Sequence, residues 1–286
     1  MLKFYYRFIK GTNNYVRSFN YIGGKYKLLP ILFKLMPNNI NKFYDVMCGS
    51  AVVAINSNAK QLVLNDLDNK CIELIRYCQQ NPLQDTLDFF KKNQPYTKEQ
   101  FLQLYVNTNH PLEYYLRKKH AFMCKWYTFR NDLSGRHFDT PVNIKKYTKL
   151  INLLQSKDMC FSNLSYDEIF IEQDINNYVY IDPPYITTCQ EYKHNFTKKD
   201  SIKLATFIKS LQDRRINFGL SYPLFTVKGC DDVLMTAVQD MNLIVYVIDL
   251  INNAVFQVDN IEAFYLTWLS NGKVDKYEMF ITNCRV

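Results

Sequence analysis

Four consecutive residues, Asp182-Pro183-Pro184-Tyr185, set a carboxylate, two prolines and an aromatic ring directly after the apolar run Tyr178-Val179-Tyr180-Ile181. The run reads as a buried strand, so the tetrapeptide falls at a strand's C-terminal end. The prolines hold the chain extended and remove two backbone donors. The carbonyl of Pro183 can then face a ligand beside the Asp182 carboxylate. Two acceptors next to a flat aromatic face suit an exocyclic amino group on a nucleobase. Both N–H bonds are accepted, and the Tyr185 ring stacks on the base. An ordinary proline-rich turn has the same composition, so other parts of the chain must decide its meaning.

Three further segments carry chemistry. Phe43 to Ser50 reads as a strand running into a tight turn, where Asp45 and Gly49 sit and small residues let a ligand approach the backbone. Asp66 ends the next apolar run, a position from which an acid can bond both hydroxyls of a ribose. Asp68 is its near rival, and a helix N-cap is the plain alternative for Asp66. Tyr21-Ile22-Gly23-Gly24-Lys25 is a glycine turn opening a helix, suited to a carboxylate through backbone N–H groups and an ammonium. It lacks the spacing of a phosphate-binding P-loop.

These residues need elements to hold them. The pattern predicts a helix from Lys25 towards Pro37, a strand at 43–47, a small-residue helix at 51–56, a strand at 61–64 and a helix at 71–78. Such βαβα alternation implies a parallel sheet. Helical periodicity at 83–92, 97–106 and 111–127 marks residues 82–150 as an inserted helical module. Strands are predicted at 158–161, 178–181, 216–220, 243–248, 262–268 and 277–282, with a helix at 199–212 and an antiparallel hairpin closing a mixed sheet. Residues 1–17 read as a loose leader. The expected domains are thus 18–81 with 151–286, and the insert 82–150.

The chain has 286 residues and a net charge of +8. Residues 91–149 hold twelve lysines or arginines and four acids, an excess equal to that of the whole chain. A basic segment on an otherwise balanced protein is the footprint of a polyanion partner, with a solvated helix face as the alternative. The eight cysteines are scattered without CxxC or Cys-His spacing, which argues for reduced thiols, a reducing cytoplasm and no metal. No apolar run is long enough to span a membrane.

Taken in order, these segments resemble the Dam-type DNA adenine-N6 methyltransferases (D12 class, alpha group), from about Phe19 to Asn283. The resemblance rests on Tyr21 to Lys25, on Phe43 to Gly49, on Asn65-Asp66, on a helical insert, on Asp182 to Tyr185 and on the closing Glu278 to Asn283. It implies an α/β fold: a Rossmann-like S-adenosylmethionine-dependent core with a mixed, mostly parallel sheet and a target-recognition insert. S-adenosylmethionine is the implied cofactor, with Tyr21, Lys25, Asp45, Gly49, Asp66, Ser165, Tyr166, Asp182 and Tyr192 as its contacts. Lys25 would meet the methionine carboxylate, and Asp66 the ribose. Asp182, Pro183, Pro184 and Tyr185 would carry the chemistry.

Double-stranded DNA is the implied partner, with base flipping of the target adenine. Lys118, Lys119, Lys125 and Arg136 are expected on phosphates, and Arg130-Asn131 stands where the family has an Arg-x-Asn recognition segment. GATC is the site the resemblance suggests, although the residue between Arg130 and Asn131 is missing. A cognate restriction endonuclease and action as a monomer complete the expectation. Methylation of cytosine N4 or of RNA adenine, or a non-catalytic DNA-binding subunit on the same fold, are the alternative readings.

Overall fold

The structure is a computed structural model that describes residues 2–7, 14–93, 110–120, 143–185, 196–226, 229–270 and 277–284. Nine strands form one sheet. In chain order they are β1 (Leu2–Arg7), β2 (Lys42–Asp45), β3 (Gln61–Asn65), β4 (Asp158–Ser162), β5 (Tyr178–Ile181), β6 (Asn217–Ser221), β9 (Ile244–Asp249), β10 (Ala254–Val258) and β11 (Tyr277–Thr282). Across the sheet they lie as β1-β10-β9-β11-β6-β5-β2-β3-β4. The five strands from β6 to β4 pair in parallel, and the pairs from β6 through β11, β9 and β10 to β1 are antiparallel. The short strands β7 (Phe225–Thr226) and β8 (Gly229–Cys230) pair with each other. This is the mixed, mostly parallel α/β sheet that the sequence pattern predicts.

Alternation along the strands divides the core into two layers. Phe43, Tyr178, Tyr180, Ile248 and Phe280 face one cluster. Tyr44, Val179, Ile181, Val247 and Ile281 face the other. Strands buried on both sides read as continuous apolar runs, which is why β5 was legible. The first layer is covered by α1 (Leu29–Leu32), α2 (Val52–Asn56), α3 (Asn69–Gln80), α4 (Leu83–Lys92), α5 (Pro111–His120) and α6 (Ile144–Gln155). The second is covered by α7 (Lys198–Asp213), α8 (Asp232–Asp240) and α9 (Ile261–Ser270).

Several expectations change. Leu2–Arg7, expected in a loose leader, form β1 on the β10 edge. Residues beyond them are also fastened: Val16 and Asn56 exchange hydrogen bonds of 2.7 and 2.9 Å, and Ser18 Oγ donates to Ser50 O. The helix expected from Lys25 becomes a 3-10 turn, Lys25–Leu28, and one α turn, because Pro30 has no N–H and fits only a first turn. The aromatic run 262–268 is helix α9 rather than a strand. Asn260 Oδ1 caps it through Ala263 N at 2.8 Å. Phe264, Tyr265 and Trp268 then gather on Phe225, with centroids 5.7, 4.8 and 5.3 Å away, so packing overrides aromatic strand propensity.

The described helices of residues 82–150 pack into the main core. Phe90, Leu112, Tyr115, Tyr147 and Leu150 belong to the same core as Phe43 and Leu62. Helices α5 and α6 pack on α3, and α4 packs on α6. The helix expected at 97–106 lies outside the described residues.

On β6, Gly219 lies under the Tyr178 hydroxyl and the Phe280 ring, where an added Cβ would collide with both. Gly219→Ala should therefore lower unfolding stability by about 1–3 kcal/mol through overpacking. Urea titration of the two proteins measures this, and an unchanged midpoint would contradict the packing described.

Candidate active site

Strand β2 lies between β3 and β5, so the chain order reverses beside it. Ligands of open α/β sheets bind at the carboxyl ends of strands at such a switch point. Here those ends supply Asp45 from β2, Asp66 just past β3 and Asp182 just past β5. Asn65 braces the ends of β2 and β3. Its Nδ2 donates to Val46 O and Leu164 O at 2.9 and 3.0 Å, and its Oδ1 accepts from Ser162 Oγ and Leu164 N at 2.8 and 2.9 Å. One fully satisfied buried amide thus ties the ends of β2, β3 and β4 together.

Asp182 is held by Lys25. The Nζ lies 2.7 and 2.8 Å from the two carboxylate oxygens, 3.0 Å from Tyr185 OH and 3.0 Å from Gly23 O. Burial of the lysine disfavours its charge, yet Asp182, Tyr185, Tyr180 and Glu278 together outweigh desolvation and hold its pKa well above the ordinary value. The Asp182 side chain keeps 21% exposure towards the cleft. Burial raises its pKa and Lys25 opposes the rise. The Tyr185 ring meets Tyr222 edge-on at 5.6 Å, and Tyr222 OH in turn donates to buried Asp231 at 2.8 Å. Pro183 is buried beside them.

The other acids are less well compensated. Asp45 is 2% exposed, and its Oδ1 has no hydrogen-bond partner among the described residues. Burial, Asp182 and Asp66 together push its carboxyl well up. Asp66 accepts from Gly49 N at 2.7 Å and Asp68 N at 2.8 Å, but burial still raises its pKa to about 6. Half-buried Glu278 on β11 is also raised by burial, with Lys25 opposing and Asp182 adding to the rise. The arrangement favours a ligand that brings positive charge and hydroxyl donors.

Asp66, not Asp68, faces the Gly49 turn. Asp68 is the N-cap of α3, accepting from Lys70 N at 3.3 Å, and it also accepts from Tyr114 OH at 2.9 Å. Gly49 has φ +49°, and a Cβ there would stand 2.7 Å from the Tyr21 ring, so turn and ring require glycine. Ser165 Oγ donates to Asp167 at 2.5 Å, and Tyr166 packs edge-on against Phe207.

Two expectations on basic residues separate here. Lys119 is half-buried, and burial lowers its pKa. Lys118, expected on a phosphate, is only 8% exposed and turns into the cleft, with Nζ 5.2 Å from the Tyr21 ring centroid and 5.5 Å from that of Tyr114. Lys125, Arg130, Asn131, Arg136 and Tyr192 lie outside the described residues. Sequence reasoning missed Tyr114, Cys71, Tyr222 and Glu278. A buried aromatic or thiol on a helix carries no signal that separates a cleft wall from ordinary core.

No helix among the described residues is long and apolar enough to cross a membrane, and none of their His, Cys, Asp or Glu groups converge to hold a metal. Known proteins resemble this chain in sequence. The modification methylase StsI of Streptococcus sanguinis is 30% identical over 239 residues, covering 74% of this chain and 36% of its own. The type II methyltransferase M.FokI of Planomicrobium okeanokoites is 28% identical over 251 residues, covering 78% of this chain and 38% of its own. The chain thus spans little more than a third of these two relatives. The type II methyltransferase M1.LlaDCHI of Lactococcus lactis subsp. cremoris is 24% identical over 221 residues, 70% of this chain and 78% of its own. Residues 21–263 match the profile of one family across most of the sheet and every strand end described above, and the chain belongs to that family, the D12 class N6 adenine-specific DNA methyltransferases.

Proposed function

We propose that this protein is an S-adenosylmethionine-dependent methyltransferase acting on the exocyclic N6 of adenine in duplex DNA. The observation that carries the reading is the Asp182 carboxylate at the end of β5, clamped by Lys25 beside Pro183 and Tyr185. The cofactor fits the site on its chemistry. Its sulfonium and ammonium charges suit the under-compensated carboxylates, its ribose diol suits Asp66, and the unpartnered Asp45 Oδ1 is a buried acceptor for an ammonium. When bound, S-adenosylmethionine supplies an electrophilic methyl group on a sulfonium.

The protein's own part is positioning and electrostatics. An adenine amino nitrogen is a poor nucleophile because its lone pair conjugates with the ring. Asp182 and the Pro183 carbonyl accept its two N–H bonds and favour a pyramidal nitrogen. Burial pushes the Asp182 pKa up, and Lys25 opposes that rise and so supports the carboxylate as an acceptor. Tyr185 stacks on the flipped base, braced by Tyr222 at its edge. Lys119 and the basic residues of 121–142 meet phosphates. Arg130-Asn131 reads the sequence, with GATC as the proposed target. The relatives' names as modification and type II methylases favour a partner restriction endonuclease, and one flipped base needs one pocket, so a cytoplasmic monomer suffices.

Purified protein incubated with tritiated S-adenosylmethionine and unmodified DNA should place label in N6-methyladenosine after digestion to nucleosides. Label in N4-methylcytosine would keep the mechanism and overturn the substrate. Asp182→Asn keeps the shape but exchanges an acceptor for a donor, so turnover should fall by about 10²–10³-fold. Salt-dependent DNA binding should persist, and methylation at the unsubstituted rate would sink the mechanism.

The pH dependence follows from Asp66. Its folded pKa of about 6 lies above its ordinary value of 3.8, so its contribution to stability is full below the lower value and is lost as pH rises through the upper one. Cofactor affinity runs the other way, since the ribose donates to the ionised form. Calorimetry between about pH 5 and pH 8 should show affinity falling up to tenfold per unit below about 6 and flat above. A profile flat throughout would remove Asp66 from the ribose.

A further inference from the structure

We propose that Asp231, the residue before α8, is a positioning residue for the stacking ring: it orients Tyr222, and Tyr222 sets the plane of Tyr185. This rests on the reading above, in which Tyr185 stacks on the flipped adenine. The Tyr185 ring is held at two points. Its hydroxyl lies 3.0 Å from Lys25 Nζ, and its ring meets Tyr222 at an interplanar angle of 88° with centroids 5.6 Å apart. A bond to the hydroxyl fixes the far end of the ring but leaves it free to turn about its own long axis. The edge-on contact opposes that turn. Stacking on a base needs a defined plane, so Tyr222 supplies what the lysine does not.

Tyr222 is itself fastened at both ends. It is 1% exposed, its backbone N–H donates to Met279 O on β11 at 3.3 Å, and its hydroxyl donates to Asp231 Oδ2 at 2.8 Å. Asp231 has more partners than a helix cap requires. As N-cap of α8 it uses one oxygen, Oδ1, which accepts from Leu234 N at 3.1 Å. Its Oδ2 accepts hydroxyls from two other elements, Tyr222 just past β6 and Ser201 on α7, the latter at 2.6 Å. The Asp231 N–H donates to Leu224 O at 2.8 Å, so the backbone that carries the carboxyl is also fixed. One buried carboxyl thus refers the Tyr222 ring to the rigid starts of α7 and α8.

The rival role is structural: Asp231 could cap α8 and join three elements without bearing on Tyr185. Steady-state methylation of unmodified DNA with tritiated S-adenosylmethionine separates the roles. Tyr222→Phe keeps the ring and removes its bond to Asp231. It should lower kcat by about three- to tenfold and leave KM for the cofactor within about twofold. Ser201→Ala removes the other hydroxyl from the same oxygen, while Leu234 N and the backbone bond still hold Asp231. Its melting temperature should fall as that of Tyr222→Phe does, but its kcat should stay within about twofold. In a Tyr185→Leu background, Tyr222→Phe should change kcat by less than about twofold, because the ring it orients is gone. Thermal melts check that each variant is folded. If Tyr222→Phe does not fold, Asp231→Asn takes its place with the same outcomes, since it keeps the capping oxygen and offers an amide to the two hydroxyls. Unchanged kcat in the folded variant, an equal loss in Ser201→Ala, or an undiminished effect in the Tyr185→Leu background would each overturn the proposal. Failure of the unsubstituted protein to methylate DNA would instead remove the proposed reaction, and this role with it.

Discussion

The structure of the site depends on one buried ion pair, Lys25 with Asp182, which joins positions 157 residues apart. Neither charge would persist alone at this depth. Burial presses the carboxylate to take a proton and the lysine to shed one. Together each keeps the other ionised, and removing either partner leaves an uncompensated charge at a cost of about 3–5 kcal/mol. The same ammonium reaches Tyr185 OH and Gly23 O. One lysine therefore bears on the ionisation of Asp182 and on the placement of the Tyr185 ring. It also fixes the end of the turn that carries Tyr21.

Sheet order makes that pair possible. Chain reversal beside β2 leaves an opening at the carboxyl ends of β2, β3 and β5, and the Asn65 amide ties the ends of β2 and β3 to that of β4. The acids that line the opening repel one another, and with burial this pushes the Asp45 carboxyl well up. Asp66 shows the trade. Two backbone N–H groups from Gly49 and Asp68 favour its charge, yet burial still leaves the group half-willing to ionise near neutral pH. A site built for stability alone would place an amide there.

Much of this was legible in the sequence, and the reason is local. Asp182, Asp66 and Gly49 sit at strand ends that continuous apolar runs announce, and a parallel strand buried on both faces is hard to mistake. The choice of Asp66 over Asp68 needed the structure, because both are acids near one strand end and only three-dimensional placement shows that Asp68 caps α3. The leader and the run 262–268 misled for opposite reasons. Leu2–Arg7 gains strand structure only from the distant β10 edge, and Phe264, Tyr265 and Trp268 have strand-like composition but pack at helical spacing. Lys118 misled because a lysine within a basic stretch reads as surface, and the stretch's charge gives no sign of which residues turn inward.

That inward turn changes what the basic segment is. Helix α5 presents Leu112, Tyr115 and Leu116 to the main core while Tyr114 and Lys118 line the cleft. Helix α6 returns the chain with Tyr147, Leu150 and Leu154 in that same core, and the Tyr115 and Tyr147 hydroxyls bond each other. The segment that carries the positive charge is therefore built into the main core at both of its described ends, and α5 also lines the pocket beside Tyr21. Substituting residues 110–120 to alter DNA recognition would disturb the core and the cleft together.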